Sequence, residues 1–529
     1  MIIKNERKER NATNCMLSPD QELALAAVRR GENTLIIGPG GSGKSHLIHQ
    51  IHTEFKDKLH AVTAMTGTAC AMVLSACEAK TLHSWAGVGL AIEEVPDLIK
   101  RVRKSRKSLM NWQTVQLLVI DEVSMMTAEL FEKLDAIGRS VRKGGSDKPF
   151  GGIQLVLCGD FCQLPPIFKT AQSIDIPPSS AHRFCFESNI WQQTISIIVE
   201  LKTIWRQTDA QLQTALSEIR LGKCSDETEV LLKSRLIEPP RDALIKPTIL
   251  YNRKIDVDEH NEACLVALKK PIRAWEAGVR IENEETCIIT PTHRQHIGQM
   301  VEDRDRESPY VVNLRISEGS QVMLIANLDI EGGLVNGSRG VVVGFSASDY
   351  PIVQFMNGKK LVCSSHCWKI GHLVADIKGS DLTPDHVESD LDTGLLTKTR
   401  ILNVFRTQVP LRLAWSLTIH KIQGSTLDCA HVDVGRTIFE YGQAYVALSR
   451  VRTLEGLYLM AFDKAAIRAH PRVLQFLESL KCPVQNVKKE TYSKTDSKNG
   501  PKTDFKNGPK IVSKDTKIQS TLKFKKLSI

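Results

Sequence analysis

The sequence predicts an α/β protein built on parallel sheets, and three observations carry that prediction. Short apolar runs alternate with helical patterns through most of the chain, the order that a parallel sheet with crossover helices requires. Three of those runs, residues 34–37 (TLII), 116–120 (QLLVI) and 153–157 (IQLVL), are closely followed by Gly or Asp. The first leads directly into a glycine-rich stretch and a helical pattern, the context of a phosphate-binding loop.

At 529 residues the chain has room for about three or four domains. Apolar residues make up 42% and charged residues 25%, an ordinary globular composition. No stretch approaches the roughly 20 apolar residues of a membrane helix, so no membrane partner is expected. The N-terminus, MIIKNERKERNATNC, has no apolar signal core. Thirteen scattered cysteines fit reduced thiols inside a cell. The expected location is therefore intracellular and not secreted: the nucleus in a eukaryote, the host cell for a virus. Cys363, His366 and Cys367 are the nearest thing to a metal grouping. With no second pair at a useful spacing, they read as ordinary residues near a strand end. The net charge is +10, and residues 485–529 hold twelve lysines against four acids, leaving the rest close to neutral.

Taken in chain order, LSPDQELALAAVRRG opens a helix. Ser18 is its N-cap, Pro19 suits the first turn, and Gln21 completes a capping box. After the first strand, Gly38–Ser45 reads GPGGSGKS, a full G-x-x-x-x-G-K-[ST] match. Gly38, Gly40, Gly41 and Gly43, with Ser42, let backbone N–H groups approach phosphate, and the following helix adds its dipole. Lys44 would reach the outer phosphates and Ser45 would hold Mg²⁺. Asp121 and Glu122 follow the second strand, at the edge where ligands of such sheets bind. Asp121 would orient the Mg²⁺ shell, and Glu122 would polarise an attacking water; the bland alternative is a pair of helix-capping acids. The third strand exits into LVLCGDFCQLPPI, residues 155–167. Asp160 and Gln163 leave on the same edge, and Pro165 and Pro166 restrict the loop. Gln163 could bond a γ-phosphate through its amide without adding charge.

Farther on, TIWRQTD (203–209), LTIHKIQGSTLD (417–428) and GQAYVALSRVRT (442–453) place polar residues beside apolar runs. Arg206 and Arg450 could reach phosphate from a second domain, where arginines stabilise developing charge; singly, each also reads as a surface salt-bridge residue. Between about 310 and 410, β-branched runs broken by Gly and Asn-Gly turns indicate short antiparallel strands. The tail repeats KTDSKNGP as KTDFKNGP, a composition with little to bury and an expectation of disorder.

With these residues in place, the chain resembles superfamily 1 DNA helicases of the PIF type, which are similar to RecD. The resemblance covers about residues 15–465 and rests on LSPDQELALAAV, VTAMTGTACAMV, TLHSWAG, FEKLDAIGRSVRKGGSDKPFGGIQL, CGDFCQLPPI, IWRQTD, HKIQGSTL and YVALSR, in the family's order. It implies two RecA-like parallel-sheet motor domains (P-loop NTPase), with a small insertion in the first, a β-barrel-like insertion in the second and a disordered basic C-terminal tail. The corresponding spans are 15–200 with an insertion about 88–112, 201–310 with 410–480, 311–409, and 485–529. It implies ATP contacts from Gln21, Lys44, Ser45, Asp121, Glu122, Gln163, Arg206, Gly424 and Arg450, and DNA contacts near Thr63, Thr66, His83, His420 and Thr426. Trp205 replaces the usual Phe. Ile422 stands where a small polar residue is usual, which puts a polar contact there in doubt.

The implied activity is an ATP-dependent DNA helicase, with ATP and Mg²⁺ as cofactors, moving 5′ to 3′ on single-stranded DNA and opening forked DNA. Replication, recombination, repair, telomere maintenance and G-quadruplex unwinding are family expectations. Trp85 stands between a stacking platform and a packed core residue, and His83 between strand contact and structural histidine. The run KRVRKSRK with Trp112 is expected near the duplex fork. KIQSTLKFKKLSI loosely resembles a sliding-clamp-binding peptide. An RNA-directed motor of the same superfamily and a nucleotide-dependent scaffold without turnover are the alternatives.

Overall fold

In the computed structural model, the described residues are 17–72, 77, 79–166, 183–240, 245–306, 310–329, 332–377, 388–389, 396–397, 399–481 and 525–526. The expected disordered tail and its clamp-like end lie outside them, apart from Lys525–Lys526, which pairs with the edge of the first sheet.

The first domain is an all-parallel sheet. Its strands are β1 (Thr34–Ile37), β2 (His60–Ala64), β3 (Lys80–Thr81), β4 (Leu117–Asp121), β5 (Gln154–Gly159) and β6 (Ile197–Glu200), in the order β6-β1-β5-β4-β2-β3. Parallel pairing puts every carboxyl end on one edge, with Ile37 opposite Gly159 and Ala64 opposite Asp121. β1, β4 and most of β5 are buried on both faces, which is why they read as unbroken apolar runs. Helices α1 (Pro19–Arg29), α2 (Lys44–Glu54), α3 (Gly67–Met72), α4 (Leu82–Ala86), α5 (Val95–Lys104), α6 (Arg106–Thr114) and α7 (Ala128–Val141) connect or flank them. The Ser18–Gln21 capping box starts α1 as expected.

The second domain has a four-stranded parallel sheet, Ser416–Thr418, Thr248–Tyr251, Ala430–Val434 and Leu457–Phe462 in spatial order. Between its first two strands in sequence lies the β-rich part. A five-stranded antiparallel sheet spans Gln321–Leu324, Arg339–Phe345, Pro351–Phe355, Lys360–Val362 and Leu411–Leu413, beside a two-stranded and a three-stranded sheet.

Three expectations need correction. The β-rich part begins before residue 311: Arg273–Glu276 pairs with Asn313–Ile316, and Gly278–Ile281 with Thr399–Gln408. Alternation in those two short strands was masked by their mixed polar texture. The segment 88–112 is no separate excursion, because Leu98, Val102 and Trp112 sit in the first domain's core. Trp112 is fully buried, donates its indole N–H to the Ala86 carbonyl at 3.0 Å and packs 5.0 Å from Trp85. Neither tryptophan is free to stack on a base; the basic side chains of Lys100, Arg101, Arg103, Lys104, Arg106 and Lys107 remain exposed. Finally, the helix Pro471–Ser479 returns to the first domain. Phe476 stacks on Phe186 at 4.3 Å and meets Phe161 edge-on at 5.5 Å.

This returning helix ties the end of the second domain to the first domain's core. Replacing Phe476 with Ala should lower the unfolding free energy by about 3–5 kcal/mol. Chemical denaturation measures it, and an unchanged transition midpoint would contradict the assigned packing.

Candidate nucleotide site between two domains

The P-loop leaves β1 and turns through Gly41 and Gly43, both with φ near +85°, a conformation that disfavours a Cβ. A Cβ on Gly41 would also lie 2.5 Å from that of Arg206, so the glycine permits the second domain's approach. Lys44 donates from Nζ to the Gly38 and Pro39 carbonyls at 2.8 and 2.9 Å. Burial pulls its pKa down, against the nearby Asp160, Glu122 and Asp121.

Asp121 and Glu122 stand at the end of β4. Glu122 adopts φ 55°, a left-handed conformation that carries backbone strain in a non-glycine residue. The Asp121 carboxyl is pushed up to about 7 by burial and by Glu122. An acid destabilised in this way would be relieved by a bound cation, so Asp121 and Ser45, which line the same cleft, fit a Mg²⁺ ion. Glu122 accepts from Gln423 Nε2 at 2.8 Å.

From the opposite side come two arginines. Arg450 is buried and donates to the Val446 and Ser425 carbonyls and to Ser449 Oγ. Arg206 donates to the Ser449 and Gly424 carbonyls at 3.1 and 3.2 Å. Both reach the space a Cβ on Gly40 would fill, 3.3 Å from Arg450 Nη2 and 3.6 Å from Arg206 Nη1. Among the described residues neither has an acidic partner in an ion pair. Burial, then Arg450, pushes Arg206 down to about 9, and burial also lowers Arg450. Cationic groups held together without acids make an anion site. The cleft they close is about 1210 Å³, and Gln163, Gly424, Thr426 and the half-exposed Trp205 also line it. Gln163 is buried, and among the described residues its Oε1 has no hydrogen-bond partner.

The remaining site residues are more dispersed. Gln21 uses Oε1 in the capping box and donates from Nε2 to the Gly43 carbonyl at 3.2 Å; it braces the P-loop. Thr63 is buried and its hydroxyl donates to the Val119 carbonyl at 2.8 Å. The sheet consumes that side chain, so a direct strand contact by it is corrected. Thr66 caps α3 through the Ala69 N–H. Thr426 lines the same cleft. His83 and His420 are half-buried, and burial lowers the His420 pKa. Ile422 belongs to the second core, which accounts for the apolar residue in that motif. Cys363, His366 and Cys367 form no metal-ligating group among the described residues.

Sequence reasoning missed Arg220, Gln207 and Arg339. Gln207 donates to the Ser449 and Val451 carbonyls. Arg339, from the β-rich part, is buried at the cleft, and its Nε has no partner among the described residues. None stands in a spacing that marks it; only Gln207 was legible, as the neighbour of Arg206.

Comparison with known proteins agrees with this geometry. A PIF1-like helicase family matches residues 16–229, and a DNA helicase Pif1 2B domain matches residues 311–345. The human ATP-dependent DNA helicase PIF1 is 37% identical over 473 residues, covering 89% of this chain; the chain spans 65% of that relative's length. The crystal structure of Pif1 helicase from Candida albicans superposes with a TM-score of 0.66 at 31% identity, covering 88% of this chain and 100% of that one. A Bacteroides Pif1 helicase in complex with ADP-AlF3 and single-stranded DNA gives 0.58 at 25% identity, with 88% and 97% covered.

Among the described residues Arg206 donates only to backbone carbonyls and lies beside another cation, so Arg206→Ala should leave the thermal midpoint nearly unchanged while lowering kcat for ATP hydrolysis by about 10³-fold. Steady-state phosphate release measures this. A loss below tenfold would contradict the placement of its guanidinium at the reacting phosphate.

Proposed function

Because the chain belongs to the PIF1-like helicase family, we propose that it is an ATP-dependent DNA helicase that tracks along single-stranded DNA. The observation that carries this reading is the reach of Arg206 and Arg450, from the second domain, to Gly40 in the P-loop of the first. A nucleotide there is bound by both domains, so its hydrolysis changes the contact between them. That is the requirement for converting phosphoryl chemistry into movement.

The P-loop N–H groups and Lys44 hold the phosphates. Asp121 and Ser45 would hold Mg²⁺, which would supply charge neutralisation for the phosphates. Glu122 positions and polarises the attacking water; Gln423 holds its carboxylate until substrate enters. Arg206 and Arg450 stabilise the charge that develops on the transferred group. Gln163 senses the γ-phosphate from the loop after β5. The single strand is gripped through backbone phosphates and stacking, with His83 and His420 beside its path and with affinity that falls as salt rises. Movement is 5′ to 3′, following the family resemblance, and forked DNA is the substrate. Roles in replication, recombination, repair or telomere maintenance, and action on G-quadruplexes, extend the same reading.

Three measurements test it. Single-stranded DNA should stimulate ATP hydrolysis by the wild type and not by Lys44→Ala; equal turnover in both would refute the enzymatic reading. On matched forks, a 5′ single-stranded DNA tail should support unwinding and a 3′ tail should not. Preference for an RNA tracking strand would favour the RNA-directed alternative, and binding without turnover the scaffold. Gln163→Ala should keep ATP binding but lose unwinding faster than hydrolysis. A proportional fall in both activities would make Gln163 a plain pocket residue.

A further inference from the structure

The loop after β5 is held by both domains at once. Phe161 packs in the first core, edge-on to Phe186 at 5.0 Å, while Leu164, three residues later, lies in the second core. Asp160 is fully buried, and its carboxylate takes bonds from Arg220 at 3.0–3.1 Å. It also accepts from the Cys162 N–H at 3.2 Å, and the Asp160 carbonyl accepts from the Gln163 N–H at 2.9 Å. The position of Gln163 is therefore tied to that of Asp160.

One further group touches Asp160. The Tyr445 hydroxyl donates to Oδ2 at 3.3 Å and accepts from the Gly40 N–H at 2.9 Å. Tyr445 stands on the short helix Gln443–Leu448 of the second domain, whose N-cap, Gly442, presses on the same loop. Gly442 has φ 72°, and a Cβ there would sit 2.4 Å from the Cys162 carbonyl oxygen and 2.5 Å from that of Gln163. One helix thus holds the loop at both ends, and its Tyr445 hydroxyl meets the P-loop.

We propose that Tyr445 is a positioning residue for turnover, its hydroxyl relaying the occupancy of the Gly40 N–H to the Asp160–Gln163 loop. This rests on the reading of the cleft as an ATP site. A phenol has one hydrogen and two lone pairs. With Gly40 donating to it, the hydroxyl bridges the P-loop and Asp160. When a phosphate draws the Gly40 N–H away, the hydroxyl loses its donor and keeps only Asp160, which Arg220 fixes to the second domain. The loop then follows the second domain, with Gln163 on it. Burial and the Asp160 charge raise the phenol's pKa, so the group stays protonated through this change.

The test uses the full chain, a fluorescent ATP analogue for binding, and steady-state ATPase with and without single-stranded DNA. Tyr445→Phe removes only the hydroxyl. It should keep nucleotide affinity within about twofold, lower kcat about tenfold and lose most of the DNA stimulation. Gly442→Ala, whose Cβ would crowd the Cys162 and Gln163 carbonyls, should give the same split between affinity and kcat. The double variant should be no worse than the poorer single one. An unchanged kcat in Tyr445→Phe would overturn the proposal. So would a kcat loss matched by an equal loss of affinity, which would make the hydroxyl part of the binding pocket. Failure of the unmutated protein to bind the analogue would overturn the reading of the cleft itself, and the proposal with it.

Discussion

Two guanidinium groups, Arg206 and Arg450, converge beside Gly40, and among the described residues neither is ion-paired with a carboxylate. That unbalanced pair is the constraint on which the remaining architecture depends. Like charges in a partly buried cleft repel and are poorly solvated, so the unliganded arrangement is costly and a polyanion relieves it. Neither domain could build this site alone. The first supplies backbone N–H groups, Lys44 and two acids; the second supplies the arginines. The parallel sheets set this geometry by bringing β1, β4 and β5 to a common carboxyl edge.

The loop following β5 extends that constraint into the body of the molecule. Its alternation of anchors, Phe161 in one core and Leu164 in the other, makes it a mechanical part of both domains. The Asp160–Arg220 pair is buried, a circumstance in which removing one partner is far worse than never having had the pair. It is better regarded as fixing the register of the domains than as adding net stability. The returning helix with Phe476 adds an apolar tie at a second place. These two ties lie away from the nucleotide cleft, where the Glu122–Gln423 and Gly40–Tyr445 hydrogen bonds add polar contacts between the domains.

Much of this was legible in the sequence, and for local reasons. A P-loop needs glycines at fixed offsets, a strand before it and a helix after it, and all are contiguous. The Asp121-Glu122 pair sits directly after an apolar run, so its place at the sheet edge followed from the strand alone. What stayed hidden depended on tertiary partners. Trp112 and Thr63 carry side chains suited to nucleic acid, yet the core consumes one and Val119 the other. Arg220 lies in an ordinary helical pattern, and nothing near it in sequence announces the buried Asp160. The start of the β-rich part was misplaced because Arg273–Glu276 and Gly278–Ile281 are short, partly exposed and paired with strands far along the chain. Ile422 shows the reverse case: an apparent departure from a motif is explained by its burial in the second core.

The central claim is that the cleft is built for the third phosphate of a nucleotide and not merely for a nucleotide. Equilibrium titration of the full chain with Mg²⁺ and a non-hydrolysable ATP analogue, set against ADP under the same conditions, tests it most directly. The account predicts that the triphosphate binds at least about tenfold more tightly, since its outer phosphate meets the unbalanced arginines, a difference of about 1.4 kcal/mol. Equal affinities for the two nucleotides would contradict it.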